Sequence, residues 1–342
     1  MSAVLRADDL ERGFPGRRSF GEMLRGRPRP VVQALAGVSL TLNRGETLAV
    51  VGESGCGKST VARALVRLID LDAGQIDFEG QDVRTLRGEA LRRYNRRVQM
   101  VFQDPYGSLN PRMTVGETLA EALNVHRMVP PGQVAGRVAE LLALVRLPAD
   151  SAARLPHEFS GGQRQRIAIA RALAVEPEVL IADEIVSALD VSVQAQILNL
   201  LLDMQERLGL SILFVSHDLR VVRHLAHQVA VMYLGRVVEL GPAEALFQRP
   251  KHPYTQALLR AAPKLATGPG SRSTAAALTG ELPSPMNVPS GCPFHTRCPE
   301  AFPRCAQERP RLHLDPVDQR HQVTCHLYDG PMAIAAVQGA GG

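Results

Sequence analysis

The chain has 342 residues, 45% of them hydrophobic and 21% charged, with a formal net charge of +5. This length suits one large domain plus an appendage. No run approaches the ~18 apolar residues that span a bilayer, and Asp8, Asp9 and Glu11 stand where a signal peptide has its apolar core. The chain is therefore expected neither to cross nor to leave a membrane by itself.

The first irregularity is basic: Arg12, Arg17, Arg18, Arg25, Arg27 and Arg29 crowd into one Gly/Pro-containing stretch. A solvated insertion loop is expected there, with anionic headgroups or nucleic acid as alternative contacts. Next, apolar Leu48-Ala49-Val50-Val51 reads as a buried parallel strand and Val61 to Ile69 as a helix. Between them Gly52-Glu53-Ser54-Gly55-Cys56-Gly57-Lys58-Ser59-Thr60 fits the phosphate-binding pattern G-x-x-x-x-G-K-[ST] without substitution. Its backbone N–H groups can cradle phosphates, Lys58 adds charge at the outer ones, and the Ser59 hydroxyl can ligate Mg2+. Cys56, inside the loop, reads as structural rather than redox-active.

Val98 to Phe102 predicts another strand, leaving Gln103 at the C-terminal edge of a parallel sheet, where open α/β sheets bind ligands. There it can sense a metal and its water, or be an ordinary loop residue. Leu119 to Leu123 and Val138 to Leu147 predict two amphipathic helices separated by the breaker Val129-Pro130-Pro131-Gly132. After Ser160-Gly161-Gly162-Gln163, Ile167, Ala170 and Ala174 recur at helical spacing, so this segment opens a helix. Free N–H groups and the macrodipole favour an anion at such a start, and the glycines let backbone approach a phosphate. The plainer reading is an N-cap before an amphipathic helix.

Val179-Leu180-Ile181-Ala182 leads as an apolar strand into Asp183-Glu184. Pleat alternation would send the two carboxylates in different directions, Asp183 to hold Mg2+ and Glu184 to polarise an attacking water. A solvated acidic strand end is the alternative. His217 follows the strand-like Ile212 to Ser216 at the same edge, placed to hydrogen-bond a γ-phosphate.

The order phosphate loop, Gln103, Ser160-Gly161-Gly162-Gln163, Asp183-Glu184, Ser187-Ala188-Leu189-Asp190, His217 resembles the nucleotide-binding domain of ATP-binding-cassette (ABC) ATPases over about residues 1–260. The resemblance implies an α/β P-loop NTPase fold with an antiparallel β N-terminal portion. It places a nucleotide-binding domain at 1–262, with a helical subdomain over about 104–170, and an extension at 263–342. Glu184, His217 and Gln103 become the catalytic set, with Mg2+ held by Ser59, Gln103 and Asp183. Ser160, Gly161, Gly162 and Gln163 are implied to serve the ATP of a second subunit, and Ser187, Ala188, Leu189 and Asp190 to line the dimer interface. Phe14 falls where the family stacks an aromatic on adenine; Phe20, or a core role for Phe14, competes with that reading. Where the family has Pro-Thr after the catalytic Glu, this chain has Ile185-Val186, and an active ATPase is still expected.

Asn110-Pro111-Arg112, Pro253-Tyr254-Thr255 and Cys292-Pro293-Phe294 carry a nearly end-to-end similarity to the ATP-binding subunits of bacterial dipeptide and oligopeptide importers, most of all a second dipeptide-importer ATPase subunit. That implies ATP-driven peptide import from the cytoplasmic face of the inner membrane. The implied partners are a non-identical ATPase subunit forming a heterodimer, two transmembrane permease subunits and an external peptide-binding protein, without nucleic acid. Nickel chelates or glutathione are alternative cargoes, and a soluble cassette ATPase acting on DNA or ribosomes is an alternative class. Beyond the Gly/Ser/Ala/Thr-rich linker at 266–274 stand Cys292, Cys298, Cys305 and Cys325. Gaps of five, six and nineteen residues are looser than those of paired zinc ligands. Clustered thiols in a cytoplasmic protein argue for metal or chance rather than disulfides. The tail's resemblance implies a [4Fe–4S] cluster, with zinc and no metal left open. His295, His321 and His326 are expected at the surface or behind the ligands.

Overall fold

In a computed structural model, which describes residues 2–16, 29–261 and 283–329, the chain begins as an antiparallel ribbon. β1 (Ala3–Pro15) buries Leu5, Ala7 and Leu10 and pairs with β2 (Val31–Asn43). Arg17, Arg18, Phe20, Arg25 and Arg27 lie outside the described residues. The chain then enters a second sheet at β3 (Thr47–Val51), and returns as β4 (Ala73–Phe78) and β5 (Gln81–Asp82) to complete a first sheet of order β2-β1-β4-β5.

The second sheet holds the chemistry. β6 (Val98–Val101), β7 (Val179–Asp183), β8 (Ser211–Ser216) and β9 (Gln228–Tyr233) run parallel with β3. β10 (Arg236–Pro242) turns back antiparallel, and β11 (Leu312–Leu314) and β12 (Gln322–Thr324) continue the sheet beyond it. Every residue of β3, β7 and β8 is buried, because a parallel strand covered on both faces has no polar side. The spatial order is β11-β12-β10-β9-β3-β8-β7-β6. β8, which follows β6 and β7 in sequence, thus inserts between β3 and β7. Loops separated by up to 160 or so positions in the chain come side by side at one edge, where such sheets bind ligands.

One face of this sheet packs on α1 (Lys58–Leu65), α2 (Gly88–Arg97) and the antiparallel ribbon, with Leu10, Leu35, Val61, Phe78 and Tyr94 in the shared core. The other face carries the insertion between β6 and β7. After the short α3 (Pro105–Ser108), α4 (Val115–Val125) buries Val115, Leu119 and Leu123, one residue per turn on a single stripe. Thr114 and Glu117 cap it reciprocally, so two of its orphan N–H groups are satisfied locally. α5 (Val134–Leu144) and α6 (Gly161–Leu173) pack against it, and α7 (Val191–Leu208) follows β7 and ends at Gly209 in the left-handed region.

The expected boundary near residue 262 lies outside the described residues, but the far side returns to the main sheet. Phe294 is buried against Tyr233 and Tyr254, with ring centroids 5.3 Å away in both cases. Burying such a ring contributes about 1.5–3 kcal/mol. His321, expected at the surface or behind the ligands, is 2% exposed and 2.7 Å from the carboxylate of buried Glu239. His326, expected in either of the same two places, is buried between Asp329 and the Glu308 carbonyl. A carboxylate inside the fold must be paired: Glu239 accepts the N–H groups of Lys251 and His252, and the returning tail adds the His321 ring.

Candidate functional site

The phosphate loop is shaped by two close approaches. At Gly52 (φ 155°) a Cβ would lie 2.2 Å from the Met232 carbonyl oxygen, and at Gly57 (φ 107°) 2.3 Å from that of Ala34. No other residue fits either place. Ser54 and Gly55 form the exposed tip, while Cys56 is 1% exposed with its thiol pushed up by burial. Thr60 lies in the first turn of α1. Lys58, 4% exposed, donates to the carbonyls of Gly52 (2.9 Å) and Glu53 (3.0 Å) and stands 3.7 Å from Glu184 Oε1. Glu53 has two further partners that sequence reasoning missed: its N–H donates to the Tyr254 hydroxyl (2.9 Å), and its carboxylate accepts both arms of Arg297 (2.6 and 3.0 Å).

Ser59 Oγ donates to Asp183 Oδ1 at 2.8 Å. Asp183 is 3% exposed; burial pushes its carboxyl above the usual range, the Ser59 hydroxyl opposes this and the neighbouring Glu184 charge adds to it. A hydroxyl and a buried carboxylate that a cation would relieve are hard-oxygen donors of the kind Mg2+ takes beside a phosphate. Gln103 does not join this pair directly: its Nε2 donates to Ser187 Oγ (3.3 Å), although Gln103 and Asp183 line one cavity of about 510 Å3.

The two carboxylates diverge for a reason other than strand pleat. β7 ends at Asp183, and Glu184 has φ 49°, a left-handed conformation costing about 1–3 kcal/mol in a non-glycine residue. Its N–H is anchored on the Val215 carbonyl (3.0 Å) and its own carbonyl accepts the Ser187 hydroxyl (2.9 Å). The side chain is thereby delivered between Lys58 and His217, with Oε2 3.5 Å from His217 Nδ1 and the imidazole half-exposed. Ile185 and Val186 are 2% and 3% exposed, so the departure from Pro-Thr adds apolar packing beneath the turn.

Ser160 is exposed and caps α6: its Oγ accepts from Gln163 N–H, and Gln163 Oε1 accepts from Ser160 N–H. A Cβ on Gly162 would lie 2.3 Å from Val193 Cγ1, and one on Gly161 3.5 Å from Leu189. The helix start is therefore packed on the loop of Ser187, Ala188, Leu189 and Asp190, the last of which caps α7 through Val193 N–H. Among the described residues no hydrogen bond joins Ser160, Gly161 or Gly162 to the phosphate loop of the same chain. Phe14 pairs with Val32 in the ribbon, partly buried under the Arg12 guanidinium; two residues on, the Ala34 carbonyl abuts Gly57.

The four tail thiols are unbridged, and all but Cys298 are buried. Burial, with the neighbouring thiols adding, pushes Cys298 up to about 11 and Cys325 up to about 12. Among the described residues no three His, Cys, Asp or Glu side chains stand close enough to hold a metal ion. The expected iron–sulfur centre thus finds no ready-made ligand shell among the described residues.

A phosphate loop beside an acidic strand end, with a second phosphate-type helix start that its own loop does not use, defines a P-loop ATPase of the ABC class. Comparison with known proteins narrows this. The family model for ABC transporters matches residues 35–187, and that for the C-terminal region of oligopeptide/dipeptide transporters matches residues 238–305. The chain is 54% identical over 325 residues to a probable peptide ABC transporter ATP-binding protein, y4tS, of Sinorhizobium fredii, covering 95% of this chain and 90% of the relative. It is 49% identical over 326 residues to the oligopeptide transport ATP-binding protein AppF of Bacillus subtilis, covering 95% and 97%. Among solved structures, cbiO1 of Clostridium perfringens, part of the cbiONQ ABC transporter complex, aligns with a TM-score of 0.61 at 27% identity, covering 73% of this chain and 92% of that one. The dimeric MJ0796 cassette bound to ADP and Pi gives 0.61 at 26%, covering 70% and 98%. The chain belongs to the ATP-binding subunits of the oligopeptide/dipeptide ABC transporter family.

Proposed function

We propose that ATP binding and hydrolysis at this site drive the import of small peptides through a membrane complex in which this chain is one of two non-identical ATPase subunits. The observation that carries the two-subunit reading is Ser160-Gly161-Gly162, a preorganised anion site on an exposed helix start that makes no hydrogen bond to its own phosphate loop. Residues 1–262 act as the nucleotide-binding domain, with the start of the helical subdomain 104–170, around Asp104 to Pro111, facing the permease, and 263–342 as the family's C-terminal extension. Among the described residues no helix is long and apolar enough to cross a membrane. Passage therefore falls to two permease subunits, fed by an external peptide-binding protein, with this chain on the cytoplasmic face.

In this reading the adenine lies against Phe14, the phosphates against the N–H groups of residues 52–60, and Lys58 against the outer phosphates. Ser59 and Asp183, together with Gln103, would hold Mg2+, which would supply charge neutralisation at the phosphates. Glu184 accepts the proton of the attacking water at its carboxylate, and His217 donates to the γ-phosphate. Ser160, Gly161 and Gly162 close over the partner's nucleotide, with residues 187–190 along the shared face. Ser160→Arg fills that face with a long cation. ATP binding to the isolated chain is expected to stay at the wild-type level while ATPase and peptide uptake of reconstituted proteoliposomes fall at least about tenfold. Wild-type uptake would reject the closure.

The tail cysteines are proposed to hold a [4Fe–4S] cluster. Four unbridged thiols in one tail segment, three of them buried, support this, and an assembly of several metal atoms gathers more widely spaced sulfurs than a single zinc ion does. Anaerobically purified protein is expected to be brown and to contain iron; a colourless, iron-free preparation refutes the cluster.

A further inference from the structure

The tail reaches into the phosphate loop at one point. Arg297, between Cys292 and Cys298, has a side chain only 4% exposed, and both its arms meet the Glu53 carboxylate, itself 25% exposed. Among the described residues Glu53 is the only acid with which Arg297 forms an ion pair. Its niche is built for it: Tyr233, Tyr254 and Phe294 pack together with ring centroids 4.7 to 5.3 Å apart, and the Tyr254 hydroxyl also accepts the Glu53 N–H. The Glu53 carbonyl in turn accepts from Lys58 Nζ. One loop residue is thus held by its N–H, its carbonyl and its carboxylate, and two of the three holds come from beyond residue 250. Glu53 also presents a chemical problem, because a carboxylate within a loop that receives a polyphosphate repels it unless compensated.

We propose that Arg297 is a positioning residue for ATP: it neutralises Glu53 and pins it, so that the C-terminal segment sets the affinity of the phosphate loop for nucleotide. This rests on the assignment of residues 52–60 as the ATP site. A planar fork donating two parallel bonds fixes a carboxylate in orientation as well as charge, which a lysine cannot do. Losing it frees both the negative charge and the backbone that carries the Lys58 partner carbonyl.

The test is equilibrium titration of the full-length chain with Mg-ATP, with thermal melting to verify folding. Arg297→Gln is expected to raise the Kd for ATP about tenfold, and Arg297→Gln/Glu53→Gln, in which the uncompensated charge is gone, to return it to within about threefold of wild type. A side chain that merely supported the aromatic packing would not be rescued from the loop. Wild-type affinity in Arg297→Gln, or a double variant as weak as the single one, overturns the proposal. If Arg297→Gln does not fold, Arg297→Lys takes its place: it keeps the charge and loses the fork, an intermediate Kd is expected, and an unchanged one overturns the proposal. Lys58→Ala separates the underlying assignment. If it too leaves ATP binding untouched, the site itself has been misplaced; if it abolishes binding while Arg297→Gln does not, only the role of Arg297 falls.

Discussion

Glu184→Gln is expected to leave ATP bound and to lower the rate of hydrolysis by about two to four orders of magnitude, the range that a positioned general base contributes. Among the described residues Glu184 is the one carboxylate paired with both the loop lysine and the edge histidine, 3.7 Å from Lys58 Nζ and 3.5 Å from His217 Nδ1. The amide has the same shape and cannot take a proton from water. Lys58 loses an ion-pair partner 3.7 Å away but keeps its bonds to the Gly52 and Glu53 carbonyls, and the left-handed turn keeps its bonds to the Val215 carbonyl and from the Ser187 hydroxyl, so the loop retains its shape. Binding and chemistry should therefore separate cleanly. Single-turnover hydrolysis in the assembled transporter, beside an ATP titration, measures both, and hydrolysis within a few-fold of wild type removes Glu184 from the role.

The second large effect is on binding. Charge-assisted hydrogen bonds contribute about 1.5–3 kcal/mol, so Lys58→Ala should weaken ATP by about 10- to 150-fold, and nucleotides with fewer phosphates less. The variant also strips the Gly52 and Glu53 carbonyls of their donor inside the fold, at about 1–3 kcal/mol of stability. A melting curve must therefore accompany the titration, and Lys58→Met, which keeps the stem, distinguishes lost charge from lost packing. An ATP affinity unchanged in a folded variant would show that the ammonium does not meet the phosphates.

Much of this site is legible in the chain because its signals are local. The Ser160-x-x-Gln163 cap is closed within four residues and the apolar run before Asp183 is its own pattern, while the loop glycines show by residue type a need for space that distant backbone, at Met232 and Ala34, creates. Their convergence is also readable, since parallel strands place consecutive loops at one edge, though the insertion of β8 between β3 and β7 is a tertiary choice. What the sequence hides is of two kinds. The kink at Glu184 has no glycine to announce it; three surrounding hydrogen bonds impose it on a residue that propensity would keep out. The Arg297–Glu53 pair, the Glu239–His321 pair and the added strands β11 and β12 join segments far apart, and no periodicity records such partners.

The 244 positions between Glu53 and Arg297 also set a clock during synthesis. At about 5–20 residues per second the arginine leaves the ribosome roughly 12–50 s after the loop it completes. Throughout that interval a nascent chain can already fold its central strands around a glutamate that still lacks its counter-ion. A polypeptide cut short before Arg297 would carry every nucleotide motif and yet leave Glu53 without its counter-ion, so competence to bind ATP well would arrive only once the segment around Cys298 has been made.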